Sequence, residues 1–372
     1  MSSSEKRKVL YMPSTPLNLL VSVAHAVAHA SEQTAQLVLI DQKNSEDNRY
    51  FKILQTWQES PFIQVDIMLG HAKGKEKRDQ RKTNFSKLAG LLDHFPADVI
   101  AVGSDRRIEF QYCMHLRSQV SNTVEGWYLD DGLYSYAGRP HKWFKDQLNS
   151  FLKKITYGFW WQEPKTVGAS GWIKQAWLFK PKSAVEALQI KKMHAIESAW
   201  FTLSKMKIFS ENVCCAYDFN QSLLDDLQSV GLFLLIPHPN NIKKMNGYEE
   251  RIHLFLAQLH KLGVRVAVKY HPRTEERDLL GFEEKYQALL VPSGLAFEFV
   301  LPFLKKHSVV VGDVGTALLT AQWLRPDLRV SAVLAEGDQF QNTFKTIYDQ
   351  QGVNVVTDFQ GIRMPSVVVR AK

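Results

Sequence analysis

At 372 residues the chain is too long for one ordinary core, at roughly 100–200 residues per domain, and its 45% hydrophobic and 23% charged residues are those of a water-soluble globular protein. The formal charge of +8 points to acidic partners, whether a negatively charged substrate, anionic lipid or nucleic acid. No apolar run approaches the ~20 residues of a membrane span, and Cys113, Cys214 and Cys215 offer neither a CxxC pair nor a metal-ligand spacing, so structural zinc is not expected.

The start, MSSSEKRKVLYM, carries charges but no apolar segment of the secretory kind, which gives an expectation of a cytoplasmic protein. Residues 8–12 (KVLYM) read as a first strand and 15–30 as the helix after it, with Ser14 or Thr15 as N-cap and Pro16 in the first turn. A strand running straight into a helix N-terminus is an anion-binding arrangement. Strands at 37–40, 63–69 and 99–103 then alternate with helices at 50–57, 85–94 and 108–117. That alternation predicts a parallel, doubly wound α/β sheet. Between them, residues 73–82 (KGKEKRDQRK) hold six basic and two acidic side chains and read as a solvated loop, or as a surface for acidic substrate or lipid.

A strand at 127–129 ends in Asp130-Asp131-Gly132. Asp-Gly is a turn signal, but adjacent carboxylates at a strand's carboxyl end also suit a general base, because a like charge raises a carboxylate's pKa toward neutrality. From 141 to 205 the alternation stops, and this window holds eleven basic residues, four acidic ones and six of the nine tryptophans. Phe144, Leu148, Phe151 and Ile155 sit at helical spacing, predicting an amphipathic helix that covers the sheet or lies against an anionic membrane.

Residues 223–230 lead into a second alternating region, which places the domains at 1–225 and 226–372. A strand at 233–236, a helix at 248–262 and the short apolar run Val266–Val268 follow. Pro272 stops that last strand and leaves His271, flanked by Lys269 and Arg273, at a carboxyl end where an anion would be met. His238-Pro239, after the first strand of this region, reads as a decoy. A helix is expected near 276–289, then a segment 292–304 containing Glu298, a buried strand at 308–312, and Asp313-Val314-Gly315-Thr316 opening a helix at 317–324. Gly-Thr at a helix start offers backbone N–H groups and a hydroxyl to a phosphate. A strand at 330–334, a helix at 340–349 and a tail that packs back on a lobe complete the chain.

The carboxylate pair with Gly132, then Lys269-x-His271-Pro272, then Glu298 and a hydroxyl-bearing loop resemble, in that order, the bacterial sialyltransferases. Thr15-Pro-Leu-Asn18 is similar to the Ser/Thr-Pro-Leu-Gln these enzymes often carry. The resemblance implies the GT-B arrangement: two Rossmann-like lobes facing across a cleft, acceptor side first and CMP-sugar side second, with no bound metal or other cofactor. It implies Asp131 as the general base and His271 as the group that stabilises the departing CMP phosphate. Lys269 would approach the cytosine or phosphate, Glu298 the ribose hydroxyls, and Asp130, Gly132, Pro272, Thr15 and Asn18 would line the substrate site. The family's paired serines correspond here to Gly315 and Thr316, so one hydroxyl is missing. The implied activity is inverting transfer from a CMP-activated sialic acid to a glycan or glycolipid acceptor of a capsule or lipooligosaccharide, with residues 141–205 against the inner membrane face. CMP-Kdo, CMP-pseudaminic or CMP-legionaminic acid would fit the same residues. A UDP-sugar epimerase of similar fold is a rival, and a nucleic-acid-binding role is discounted because no recognition motif accompanies the charge. The chain has no Asp-x-Asp triplet of the metal-dependent nucleotide-sugar transferases.

Overall fold

A computed structural model describes residues 5–139, 143–334 and 339–364. The chain divides into two compact units, residues 1–206 and 207–372.

The first unit runs β1 (Arg7–Met12), α1 (Pro16–Ala28), β2 (Gln33–Gln42), α2 (Arg49–Thr56), β3 (Phe62–Leu69), α3 (Gly74–His94) and β4 (Val99–Val102). It continues through α4 (Ile108–Val120), β5 (Glu125–Leu129), α5 (Tyr134–Ala137), α6 (Trp143–Tyr157), β6 (Ile173–Leu178), α7 (Glu186–Gln189) and β7 (Lys192–Ala195). Its strands form one sheet in the order β3-β2-β1-β4-β5-β6-β7, with every pairing parallel. Val9–Met12 and Val99–Val102 are apolar on both faces and wholly buried, as central parallel strands under helices must be. Met12 pairs with Val102, and Val102 with Tyr128, so β1, β4 and β5 deliver their following loops at one level.

The second unit begins in α8 (Ser204–Ala216), followed by α9 (Gln221–Asp226), β8 (Leu232–Leu235), α10 (Pro239–Ile242), α11 (Tyr248–Lys261), β9 (Val266–Lys269) and α12 (Phe282–Tyr286). Then come β10 (Leu289–Val291), β11 (Val309–Gly312), α13 (Thr316–Leu324), β12 (Arg329–Val333), α14 (Gln339–Gln351) and β13 (Asn354–Val356). The six strands lie in the order β10-β9-β8-β11-β12-β13, again parallel throughout. In each sheet the winding reverses beside the first strand, between β1 and β4 and between β8 and β11. The crevice outside the strand carboxyl ends at such a reversal is where open α/β sheets bind ligands.

Three expectations need correction. Residues 73–82 are not a loop; they are the first turns of α3, because Lys, Glu, Arg and Gln are strong helix formers and the single Gly74 sits at the helix start. Arg81 from this stretch is buried, ion-paired to Glu109 and 3.5 Å from Asp41. The alternation does not stop at 141, since β6 and β7 extend the sheet at its edge. The region near 276–289 holds only the short α12, and Leu289–Val291 is an edge strand. The tail packs back on a lobe as expected, on the second unit as far as residue 364: β13 pairs with β12, and Phe359 packs on Tyr248 and Phe255 of α11.

The amphipathic helix exists as α6, and the described part of its apolar stripe, Phe151 and Ile155, faces outward. Phe151 (60%), Ile155 (64%) and, just past the helix, Phe159 (87%) are exposed at i, i+4, i+8 spacing, with Leu152 (51%) beside them. Phe144 and Leu148 lie where side chains are outside the described residues. Among the described residues no helix is long and apolar enough to cross a membrane.

Candidate active site

In the first unit the site grows from the β1–α1 junction. Thr15 is the N-cap, its hydroxyl accepting the Asn18 backbone N–H at 3.2 Å. This fixes the first turn of α1 and buries Asn18 beneath the carboxyl ends of β1 and β4. The Ser14 hydroxyl donates to Asn18 Oδ1 at 3.3 Å, which turns the amide nitrogen outward. Asn18 Nδ2 donates to Asp131 Oδ1 at 2.7 Å, joining the loop after β1 to the loop after β5. The close approach needs Gly103 at the end of β4, where an added Cβ would lie 2.2 Å from the Asn18 amide.

The two carboxylates of the Asp-Asp-Gly turn have opposite fates. Asp130 is wholly buried and accepts from Gly132 N (2.9 Å), the Ser135 hydroxyl (2.7 Å), Phe179 N (3.0 Å) and the Tyr136 hydroxyl. Its acceptor sites are filled, so it anchors the turn. Gly132, at φ 99°, takes the left-handed turn that a side chain would resist. Asp131 is thereby aimed away from the core and is only partly buried. Burial raises its pKa from the usual carboxylate range to about 7, with Asp130 adding to the rise and the Asn18 hydrogen bond and Arg107 opposing it. Arg107 is itself ion-paired to Asp41, at the carboxyl end of β2. A carboxylate held by the directed Asn18 donor and balanced near neutrality can take a proton from a hydroxyl.

In the second unit Lys269, the last residue of β9, is buried and donates to the carbonyls of Ser293 (3.0 Å) and Tyr270 (3.3 Å). Burial lowers its ammonium to about 8, and the nearby Glu298 favours its charged form. Glu298 lies in a 3₁₀ turn, and burial raises its pKa against the opposing effects of Lys269 and Thr320, whose hydroxyl donates at 3.4 Å. His271 follows β9, with Nδ1 accepting the Arg273 N–H at 3.1 Å, so the neutral ring carries its proton on Nε2. Burial, then His238, Lys269 and Arg273, lower its pKa and keep it neutral at pH 7. Pro272 is exposed beside it.

Gly315 caps α13 in an extended conformation (φ −175°) with its N–H donated to the Tyr348 hydroxyl at 2.7 Å, and Thr316 is the first helical residue. An added Cβ on Gly315 would meet nothing within 4 Å, so the second hydroxyl of the motif is missing by sequence and not for want of room.

The structure thus brings Thr15, Asn18, Asp130, Asp131 and Gly132 together at one sheet reversal. It sets Lys269 and His271 at the carboxyl end of β9 in the other sheet, Glu298 in the 3₁₀ turn near Lys269, and Gly315 and Thr316 at the start of α13, after the strand across the reversal. Four residues escaped the sequence reading. Gly103 was legible only as a glycine ending a buried strand, and Arg107 carried no signal of its own. Asp313, after β11, is pushed by burial to about 7. His238, read as a decoy, lies against His271 with ring centroids 4.9 Å apart. The repeated His-Pro was its signal. Among the described residues no group of three or more His, Cys, Asp or Glu side chains is arranged to hold a metal ion.

A model of the alpha-2,8-polysialyltransferase family matches residues 14–334. Among solved structures the chain is similar to the alpha/beta-galactoside alpha-2,3-sialyltransferase of Photobacterium phosphoreum, with a TM-score of 0.57, 11% identity and 95% and 99% of the two chains covered. It is also similar to the UDP-GlcNAc 2-epimerase of Methanocaldococcus jannaschii, at TM-score 0.53, 11% identity and coverage of 94% and 88%. At such identity these likenesses speak for the fold alone, which is of the GT-B class. No curated protein matches the chain in sequence.

Proposed function

Because the chain belongs to the alpha-2,8-polysialyltransferase family and is a glycosyltransferase of that sialyl-transferring kind, we propose that it moves a sialic acid, or a related nonulosonic acid, from its CMP donor to a glycan hydroxyl with inversion. The observation that carries this reading is the Asn18–Asp131 hydrogen bond, which holds a half-buried carboxylate with a pKa near 7 at the reversal of the first sheet. In the proposed reaction the donor's anomeric carbon separates from a phosphate oxygen through an oxocarbenium-like transition state. The acceptor oxygen attacks from the opposite face and loses its proton to Asp131. The phosphate takes the electron pair of the broken bond, and the His271 Nε2–H donates to it. Lys269 supplies a buried positive charge, Glu298 suits the ribose hydroxyls, and Thr316 with the Gly315 loop suits the phosphate. The first unit then serves the acceptor and the second the CMP-sugar, without a metal. Family membership supports a role in building a bacterial surface polysaccharide or lipooligosaccharide. The exposed Phe151, Leu152, Ile155 and Phe159 in a basic segment support peripheral contact with the anionic inner face of the membrane.

The test is a thermal-shift comparison of CMP, UDP, GDP and ADP without added metal, since a ligand that binds only the folded state raises apparent stability. CMP alone is expected to stabilise the protein. Preference for UDP, or no response to any nucleotide, would overturn the donor assignment.

A further inference from the structure

His238 and His271 lie just beyond the carboxyl ends of neighbouring strands, three residues past Leu235 and two past Lys269, which pair with each other. Each follows the carboxyl end of a buried parallel strand, β8 for His238 and β9 for His271, and each precedes a proline. Each ring is fixed in the same way: His238 Nδ1 accepts the Asn240 backbone N–H at 3.0 Å, and His271 Nδ1 accepts that of Arg273 at 3.1 Å. With Nδ1 an acceptor, both neutral imidazoles carry hydrogen on Nε2. The ring centroids are 4.9 Å apart at 63°. Both rings are partly exposed, and His238 is the N-cap of α10, in the connection that leaves β8, the strand bordering the sheet reversal.

This tautomer decides what the pair can bind. A metal-ligating histidine coordinates through one nitrogen lone pair and donates its other N–H to an acceptor. Here the second nitrogen already accepts from backbone, so metal binding at Nε2 would force an N–H against an N–H. What the pair offers is two N–H donors without net charge, beside the cations of Lys269 and Arg273, and that chemistry recognises an anion with several acceptor oxygens. With their centroids 4.9 Å apart, the two rings are close enough for one tetrahedral phosphate to accept a hydrogen bond of about 2.8 Å from each.

We propose that His238 and His271 form a two-donor cradle for the phosphate of the nucleotide, so that His238 is a phosphate-binding residue of the site and shares with His271 the charge that collects on the leaving group. This inference rests on the proposed CMP-donor reading. As the sugar–phosphate bond breaks, its electron pair goes to the phosphate oxygen, and two N–H groups meet the growing charge. Both imidazoles keep their protons, while the acceptor's proton goes to Asp131.

The decisive variant is His238→Asn. Its Oδ1 can still accept the Asn240 N–H and keep the turn, while the Nε2–H is deleted. Calorimetric titration compares CMP with cytidine, which lacks the phosphate. The expected result is a roughly 10- to 100-fold loss of CMP affinity, the value of a hydrogen bond to a charged group, with cytidine affinity unchanged. His238→Gln, which places an amide N–H near the lost Nε2–H, should recover part of it. Unchanged CMP affinity in His238→Asn, or equal losses for CMP and cytidine, overturns the cradle. A wild-type protein that binds UDP but not CMP defeats the donor reading alone, and the same variant scored on UDP against uridine then tests the cradle. Binding of neither nucleotide defeats both.

Discussion

Replacing Asn18 with alanine removes a directed donor to the proposed base while leaving the Asp-Asp-Gly turn in place, because that turn is held by Asp130. The Asn18 amide favours the ionised form of Asp131, and Asp131 sits near pH 7 only because this donor and Arg107 oppose the effect of burial. A hydrogen bond to a charged acceptor contributes about 1.5–3 kcal/mol, and at 1.36 kcal/mol per pKa unit its loss raises the carboxyl by about 1–2 units. The acid limb of the kcat/KM–pH profile should therefore move from about pH 7 to about 8–9. At pH 7 the ionised fraction falls from about half to between a tenth and a hundredth, lowering kcat/KM roughly 5- to 50-fold, and the ratio of variant to wild type should return toward one by about pH 9.5. The assay is CMP release from a CMP-sialic acid donor across that pH range. A loss that is the same at every pH, or an unmoved limb, would refute the claim that Asn18 sets the base's pKa.

Asp131→Asn should stabilise the protein at alkaline pH. A carboxyl whose folded pKa lies near 7 holds a proton that the unfolded chain loses near pH 4, so its contribution to stability falls as pH rises from about 4 to 7 and stays low above that. Discounted for partial exposure, the gain is on the order of 2 kcal/mol at pH 8 and smaller at pH 5, readable as a difference in denaturant midpoints; an equal gain at both pH values would contradict it. Gly315→Ser restores the second hydroxyl in open space on extended backbone, so stability should hold within about 0.5 kcal/mol and CMP should bind about 5-fold more tightly, as titration would reveal. The double variant Phe151→Glu, Phe159→Glu should lose binding to vesicles containing anionic lipid while keeping transfer to a soluble acceptor, and retained sedimentation with vesicles would count against membrane contact.

Both sheets were legible where strands were wholly apolar and followed by helices with clear caps, as at Val9–Met12 with Thr15 and at Val266–Val268 with Pro272. The edges were not. Lys192–Ala195 is the edge strand and Ile173–Leu178 the strand beside it; both mix Lys, Gln or His with apolar residues and lack the continuous apolar signal of a central strand. Residues 73–82 misled because high charge marks both loops and exposed helix, and only the propensities of Lys, Glu and Arg separate the two. In the site, Asp131 and His271 announced themselves by motif. The Asn18–Asp131 bond joins residues 113 positions apart, and Gly103's function is to leave room for Asn18, so neither is written in local sequence. His238 was set aside because a short motif has no weight until the sheet order puts β8 beside β9.

The most direct test of the account compares Asp131→Asn with the wild type in two measurements at pH 8: the rate of sialyl transfer from the CMP donor and the dissociation constant of CMP. Transfer is predicted to vanish while CMP affinity stays within about 2-fold, because the variant keeps the shape of the turn and removes only the base. Parallel loss of both, or transfer that survives the substitution, would contradict Asp131 as the group that takes the acceptor's proton.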